Sequence, residues 1–88
     1  MAASHRDLVV WHKAMDVAVH VYRLTDRFPR NEMYRLTSQL TRAAASVPAN
    51  IAEGNGRGSR RDYAHFLSIA KGSLNETETF LFLAIRLG

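Results

Sequence analysis

Eighty-eight residues with 47% hydrophobic content describe one small folded domain rather than a disordered chain. The absence of cysteine excludes a disulfide framework and a thiolate metal site and fits a reducing compartment. Net charge is +4, and ten of the twelve cations are arginine, a balance that permits an RNA or DNA partner without requiring one.

The N-terminus, MAASHRDLVVWHK, has no long apolar run after a charged head, so no signal peptide is expected. No apolar stretch approaches the ~20 residues of a membrane span. A soluble, cytoplasmic protein with no membrane partner is expected.

From residue 7 to 28 the pattern is helical, with Asp7 suited to the positive N-terminal end. Leu8, Trp11, Met15, Ala18 and Tyr22 form one stripe; Val10, Ala14, Val17, Val21, Leu24 and Phe28 form a second beside it. Two stripes suit an internal seam plus a subunit interface, and a central helix of a bundle reads the same way. Pro29 stops this helix, and the short turn after it sends the next helix back antiparallel.

A second helix is predicted over 32–54, with Asn31 as its N-cap. Its seam is Met33, Leu36, Leu40, Ala43 or Ala44, Val47 and Ile51. Thr41, Ala45, Ala49 and Ala52 form a small-residue strip that lets a neighbouring backbone approach closely. Pro48 falls where the apolar period continues on both sides, which predicts one kinked helix rather than two.

Glycines 54, 56 and 58 are expected to end this helix. Ser59 followed by Asp62 resembles a capping box and opens a third helix over 60–87. Tyr63, Phe66, Leu67, Ala70, Leu74, Thr77 and Leu81 form its seam, with Ile69, Ser73, Phe80, Leu83 and Leu87 as a second row. Gly72 costs about 1 kcal/mol relative to alanine in mid-helix, and close packing on the alanine strip is the expected compensation. The fold class is all-α: residues 1–88 form a single antiparallel up-down helical bundle.

On the second helix Arg35, Gln39, Arg42, Ser46, Asn50 and Glu53 recur every three or four residues along one line. They contain no nucleophile with a base and an orienting group, so no catalytic residue and no enzymatic role are predicted. The preferred reading is a buried or interface polar network of Gln39, Arg42, Ser46, Asn50 and Glu53, in which the charges and amides satisfy one another. The loop GNGRGS lacks the lysine and hydroxyl ending of a phosphate-binding loop and reads as a helix-helix turn. His12, Asp16 and His20 share a face, but the two histidines lie ~12 Å apart along the axis, so one ion cannot take all three. No metal and no cofactor is predicted. Arg57, Arg60 and Arg61 cluster where a helix N-terminus already favours anions; they are the first candidates for nucleic-acid contact, with Arg35 and Arg42 a second set.

Several blocks of residues resemble one family. They include Trp11-His12-Lys13-Ala14, Phe28-Pro29 with Glu32, Leu36-Thr37-Ser38-Gln39-Leu40 and Arg42-Ala43-Ala44. Ser46-Val47-Pro48-Ala49-Asn50-Ile51-Ala52-Glu53-Gly54 is the most specific, followed by Phe66-Leu67 and Ala70-Lys71-Gly72-Ser73-Leu74-Asn75-Glu76. From about Leu8 to Gly88 the chain is similar to small bacterial four-helix-bundle proteins encoded in intervening sequences of large-subunit ribosomal RNA genes. These are related to the accessory variability protein of diversity-generating retroelements. The resemblance implies an up-down bundle assembled as a ring-like homopentamer, with reverse transcriptase and nucleic-acid binding through a basic surface in the retroelement relatives. The family has a fourth helix, whereas three are predicted here. Either that helix is missing or another chain supplies its packing, and a three-helix remnant is expected to be aggregation-prone or obligately oligomeric.

The sequence therefore predicts a non-enzymatic, oligomeric helical-bundle adaptor that contacts an RNA or DNA backbone. The alternative is a protein-protein assembly module with no nucleic-acid ligand.

Overall fold

The computed structural model describes residues 2–88, apart from the side chain of Tyr34. Three helices pack antiparallel: α1 over Val9–Thr25, α2 over Ser38–Gly56 and α3 over Arg60–Leu87, with no strand among the described residues. Among the described residues no helix is long and apolar enough to cross a membrane.

The helix starts differ from those expected, for local reasons. Asp7 does not cap α1; it sits in a single 3-10 turn, His5–Asp7, whose N-cap is Ser4. Ser4 Oγ accepts the Arg6 amide at 3.2 Å. Extended backbone at Leu8 then separates that turn from α1. Asn31 likewise falls inside a 3-10 turn, Arg30–Glu32, which leads into a π-helical turn, Met33–Thr37. Thr37, the residue before α2, is already helical, so the chain never straightens there and no side-chain cap forms. The start of α3 matches its motif in part. Ser59 is extended and its Oγ accepts the Asp62 amide at 3.1 Å.

Helix α2 runs through the buried Pro48 without interruption. Near it the Asn50 Nδ2 donates to the Ser46 carbonyl at 2.8 Å, a side-chain bond to the backbone in the turn that proline disturbs. Gly54 and Gly56 remain helical, and the chain turns at Gly58, whose φ of +83° favours glycine.

Helix α2 is the central element, packed on both α1 and α3, which make little backbone approach to each other. One core cluster holds Ala14, Val47, Ile51 and Ala70; the other holds Ala18, Val21, Ala44 and the fully buried Leu40. Neither predicted stripe of α1 is buried whole. Ala14, Ala18, Val21 and Thr25, drawn from along the seam between the stripes, face inward; Val10, Val17 and Leu24 on one flank and Met15, Val19 and Tyr22 on the other stay exposed.

The expected close approach at Gly72 is not there, since a Cβ added to it would meet nothing within 4 Å. The tight contact is at Gly54, where a Cβ would stand 2.7 Å from the Phe66 Cβ. The bundle is a rod 43 Å long and 19 by 18 Å across. Its accessible surface is 6396 Å². A compact monomer of 9.9 kDa exposes about 5,200 Å².

Candidate nucleic-acid interface

The arginine turn is built by the close approach of α2 to α3. Gly54 lies against Phe66, and the turn after Gly56 delivers Arg57 beside that ring. The Arg57 guanidinium stands 5.0 Å over the Phe66 ring, and its Nε is 3.3 Å from Glu53 Oε2. A carboxylate and an aromatic face thus hold Arg57 and neutralise part of its charge. Arg60 and Arg61 are exposed in the first turn of α3 and form no ion pair among the described residues. They are the open cations of the turn, at the end of a 28-residue helix whose dipole also favours anions.

The second set of arginines does not join this patch. Arg35 pairs with Glu32 at 3.6 Å near the opposite end of the second helical stretch, ~30 Å from Arg57 at 1.5 Å per residue. Arg42 is exposed midway, ~22 Å from Arg57. The five arginines therefore do not form one surface.

The predicted polar network exists only in part. Arg42 and Glu53 cannot satisfy one another, because eleven residues of helix separate them by ~16 Å. Glu53 turns to Arg57 instead. What does form is a bridge between helices: Ser46 Oγ lies 2.9 Å from Ser73 Oγ, and Asn50 Nδ2 donates to Ser46 Oγ at 2.9 Å. Thr77, almost fully buried, donates from Oγ1 to the Ser73 carbonyl at 2.8 Å.

Above this bridge opens a cleft of about 270 Å³, with Gln39, Arg42 and Ser46 on the α2 side and Ser73, Glu76 and Phe80 on the α3 side. Sequence reading found the α2 half and missed the α3 half. Ser73 falls in an apolar row by its spacing, and Glu76 belongs to neither row of α3. Their spacing of three residues, with Phe80 four further on, is the signal that puts them on one face.

A larger groove of about 680 Å³ runs between α1 and α2. Its floor is the small-residue strip of Ala45, Ala49 and Ala52, and its wall is Met15, Val19 and Tyr22. On α1, His12, Asp16 and His20 are all exposed, and His12 Nε2 lies 2.7 Å from the Arg6 carbonyl. Among the described residues no three histidine or acidic side chains gather as metal ligands would. Asn55 is buried at the end of α2, where its Nδ2 donates to the Ala2 carbonyl at 3.1 Å and ties the N-terminal segment down.

No curated protein matches the chain. The family model described as 23S rRNA-intervening sequence protein matches residues 6–88, and with nearly its whole length covered the chain belongs to that family.

Proposed function

We propose that this protein is a non-enzymatic helical-bundle adaptor that self-associates and contacts an RNA or DNA backbone through Arg60 and Arg61. The observation that carries the self-association is unburied apolar surface. Met15, Val19 and Tyr22 stand 38%, 42% and 50% exposed along the α1–α2 groove. The total surface exceeds that of a compact monomer by about 1,200 Å², more than the ~800 Å² each partner loses in a standard interface. A homo-oligomer, a pentamer by family resemblance, is the assembly this reading expects.

Nucleic-acid contact rests on the two unpaired cations at the start of α3. They act by neutralising phosphates and releasing counterions, so affinity falls with salt. Arg57 contributes less, being engaged by Glu53 and Phe66.

Light scattering with and without RNA tests both halves together. The expected result is a mass several times the monomer's and a further increase with RNA at low salt. Replacing Arg60 and Arg61 with alanine should reduce the salt slope by about 2 per contacting protomer. A monomeric mass overturns the assembly. An oligomer that ignores RNA and duplex DNA at low salt leaves the second reading, a protein-protein assembly module, which the partly neutralised Arg57 and the apolar groove favour.

A further inference from the structure

We infer that the α2–α3 cleft is a binding site for a single unstacked guanine base, an inference that rests on the nucleic-acid reading above and deepens it. The chemistry of the cleft is mixed rather than merely cationic. Arg42 and Gln39 supply donors from α2, Glu76 supplies an acceptor from α3, and the half-buried Phe80 supplies an aromatic wall. Arg42 forms no ion pair among the described residues, so its guanidinium is free to take a ligand.

The floor adds one more group. Ser46 and Ser73 are 2.9 Å apart and share one hydroxyl hydrogen between them. Their second hydrogen has no acceptor among the described residues, so the bridge leaves one O–H donor at the base of the cleft. A volume of about 270 Å³ is small for a ligand pocket and suits one ring system rather than a stacked pair.

Among the bases, guanine matches this set. Its Watson–Crick edge places two adjacent N–H donors beside a carbonyl acceptor. A carboxylate such as Glu76 accepts both N–H groups, and Arg42, Gln39 or the serine hydroxyl donates to the carbonyl. Adenine and cytosine set a ring-nitrogen acceptor against that carboxylate. Uracil offers a single N–H between two acceptors. Unpaired bases in RNA are read in this way, by their edges and by stacking on aromatic side chains.

Glu76 lies ~24 Å from Arg60 along α3. From a central base either half of a 20-nucleotide strand spans ~34 Å at the ~3.4 Å per nucleotide of a stacked strand, and so reaches Arg60 with the base in the cleft. The test is fluorescence anisotropy with 20-nucleotide oligouridine strands carrying one central guanosine, inosine or adenosine. The guanosine strand should bind about tenfold tighter than the adenosine strand, with inosine, which lacks the exocyclic amine, between them. Glu76→Gln should erase the ratio of guanosine-strand to adenosine-strand affinity, whereas R60A/R61A should weaken all three strands alike and keep that ratio. Equal affinities in the native protein, or a preference that survives E76Q, overturn the inference. If no strand binds, the backbone-contact reading fails and the cleft is judged separately, by amide chemical shifts on adding guanosine monophosphate. Shifts at Ser73, Glu76 and Phe80 that adenosine monophosphate does not produce sustain the site; their absence overturns it.

Discussion

Helix α2 has two flanks, and they are finished differently. Toward α3 the helices close on each other: Gly54 admits the Phe66 Cβ, and Ser46 and Ser73 meet at 2.9 Å across the gap. Toward α1 the flank is equally rich in small residues, yet Ala45, Ala49 and Ala52 floor an open groove and leave Met15, Val19 and Tyr22 facing solvent. Small residues permit close approach but do not enforce it. Closure needs something from the other side, and only α3 provides it, as a serine hydroxyl and a ring base that fit the space. The closed flank holds the fold, and the open flank is where apolar surface remains exposed.

The largest effect should come from disturbing the closed flank. Gly54→Ala puts a methyl 2.7 Å from the Phe66 Cβ and 3.3 Å from the Tyr63 carbonyl, atoms that backbone holds in place. Overpacking of this kind costs about 1–3 kcal/mol, read as a lower midpoint in urea unfolding. Ser73→Ala should cost about 1 kcal/mol, because it removes the interhelical hydrogen bond from a buried site. If both variants unfold like the native chain, the contrast between the flanks loses its energetic meaning.

The two flanks also mark what was legible in the sequence. Apolar periodicity placed three helices and Leu40, Ala44, Val47 and Ile51 in the core, because burial repeats with the helical turn. It could not say which glycine is the tight one. The sequence pattern assigns Gly54 to a helix end and close packing to Gly72, whereas the relative rotation of α2 and α3 turns Gly54, not Gly72, toward a neighbour. The polar line was visible as spacing, but its pairing was not. Glu53 has Arg57 one turn away and Arg42 three turns away, and reach settles the choice. Ser73 and Glu76 were overlooked since a cleft formed by two helices requires the register between them, which one helix's pattern does not contain. Asp7 and Asn31 failed as caps for a related reason. Capping propensity names suitable residues, while the backbone path through two 3-10 turns decided where free amides lie.

Gly72 sharpens the comparison in the opposite direction from Gly54. Its added Cβ meets nothing within 4 Å, and its helix continues on both sides. Gly72→Ala should therefore stabilise the fold by about 0.5–1 kcal/mol through the lost freedom of the unfolded chain. A destabilised variant would mean that assembly brings another chain against this position.

The smallest effect on the isolated fold, and the most telling for the open flank, belongs to Val19→Asp. Val19 is 42% exposed on the wall of the groove, so a carboxylate there remains hydrated and should change the stability of a dissociated chain by no more than about 0.5 kcal/mol. In an assembled protein the same carboxylate would be buried without a partner, and the interface would fail. Linkage makes the two situations separable. A native chain that associates through the groove unfolds at a temperature that rises with protein concentration, whereas V19D should show one concentration-independent midpoint and a monomer mass. If V19D keeps both the native mass and the concentration dependence, the groove is not the joint between subunits, and the exposed flank of Val10, Val17 and Leu24 becomes the face that must carry it.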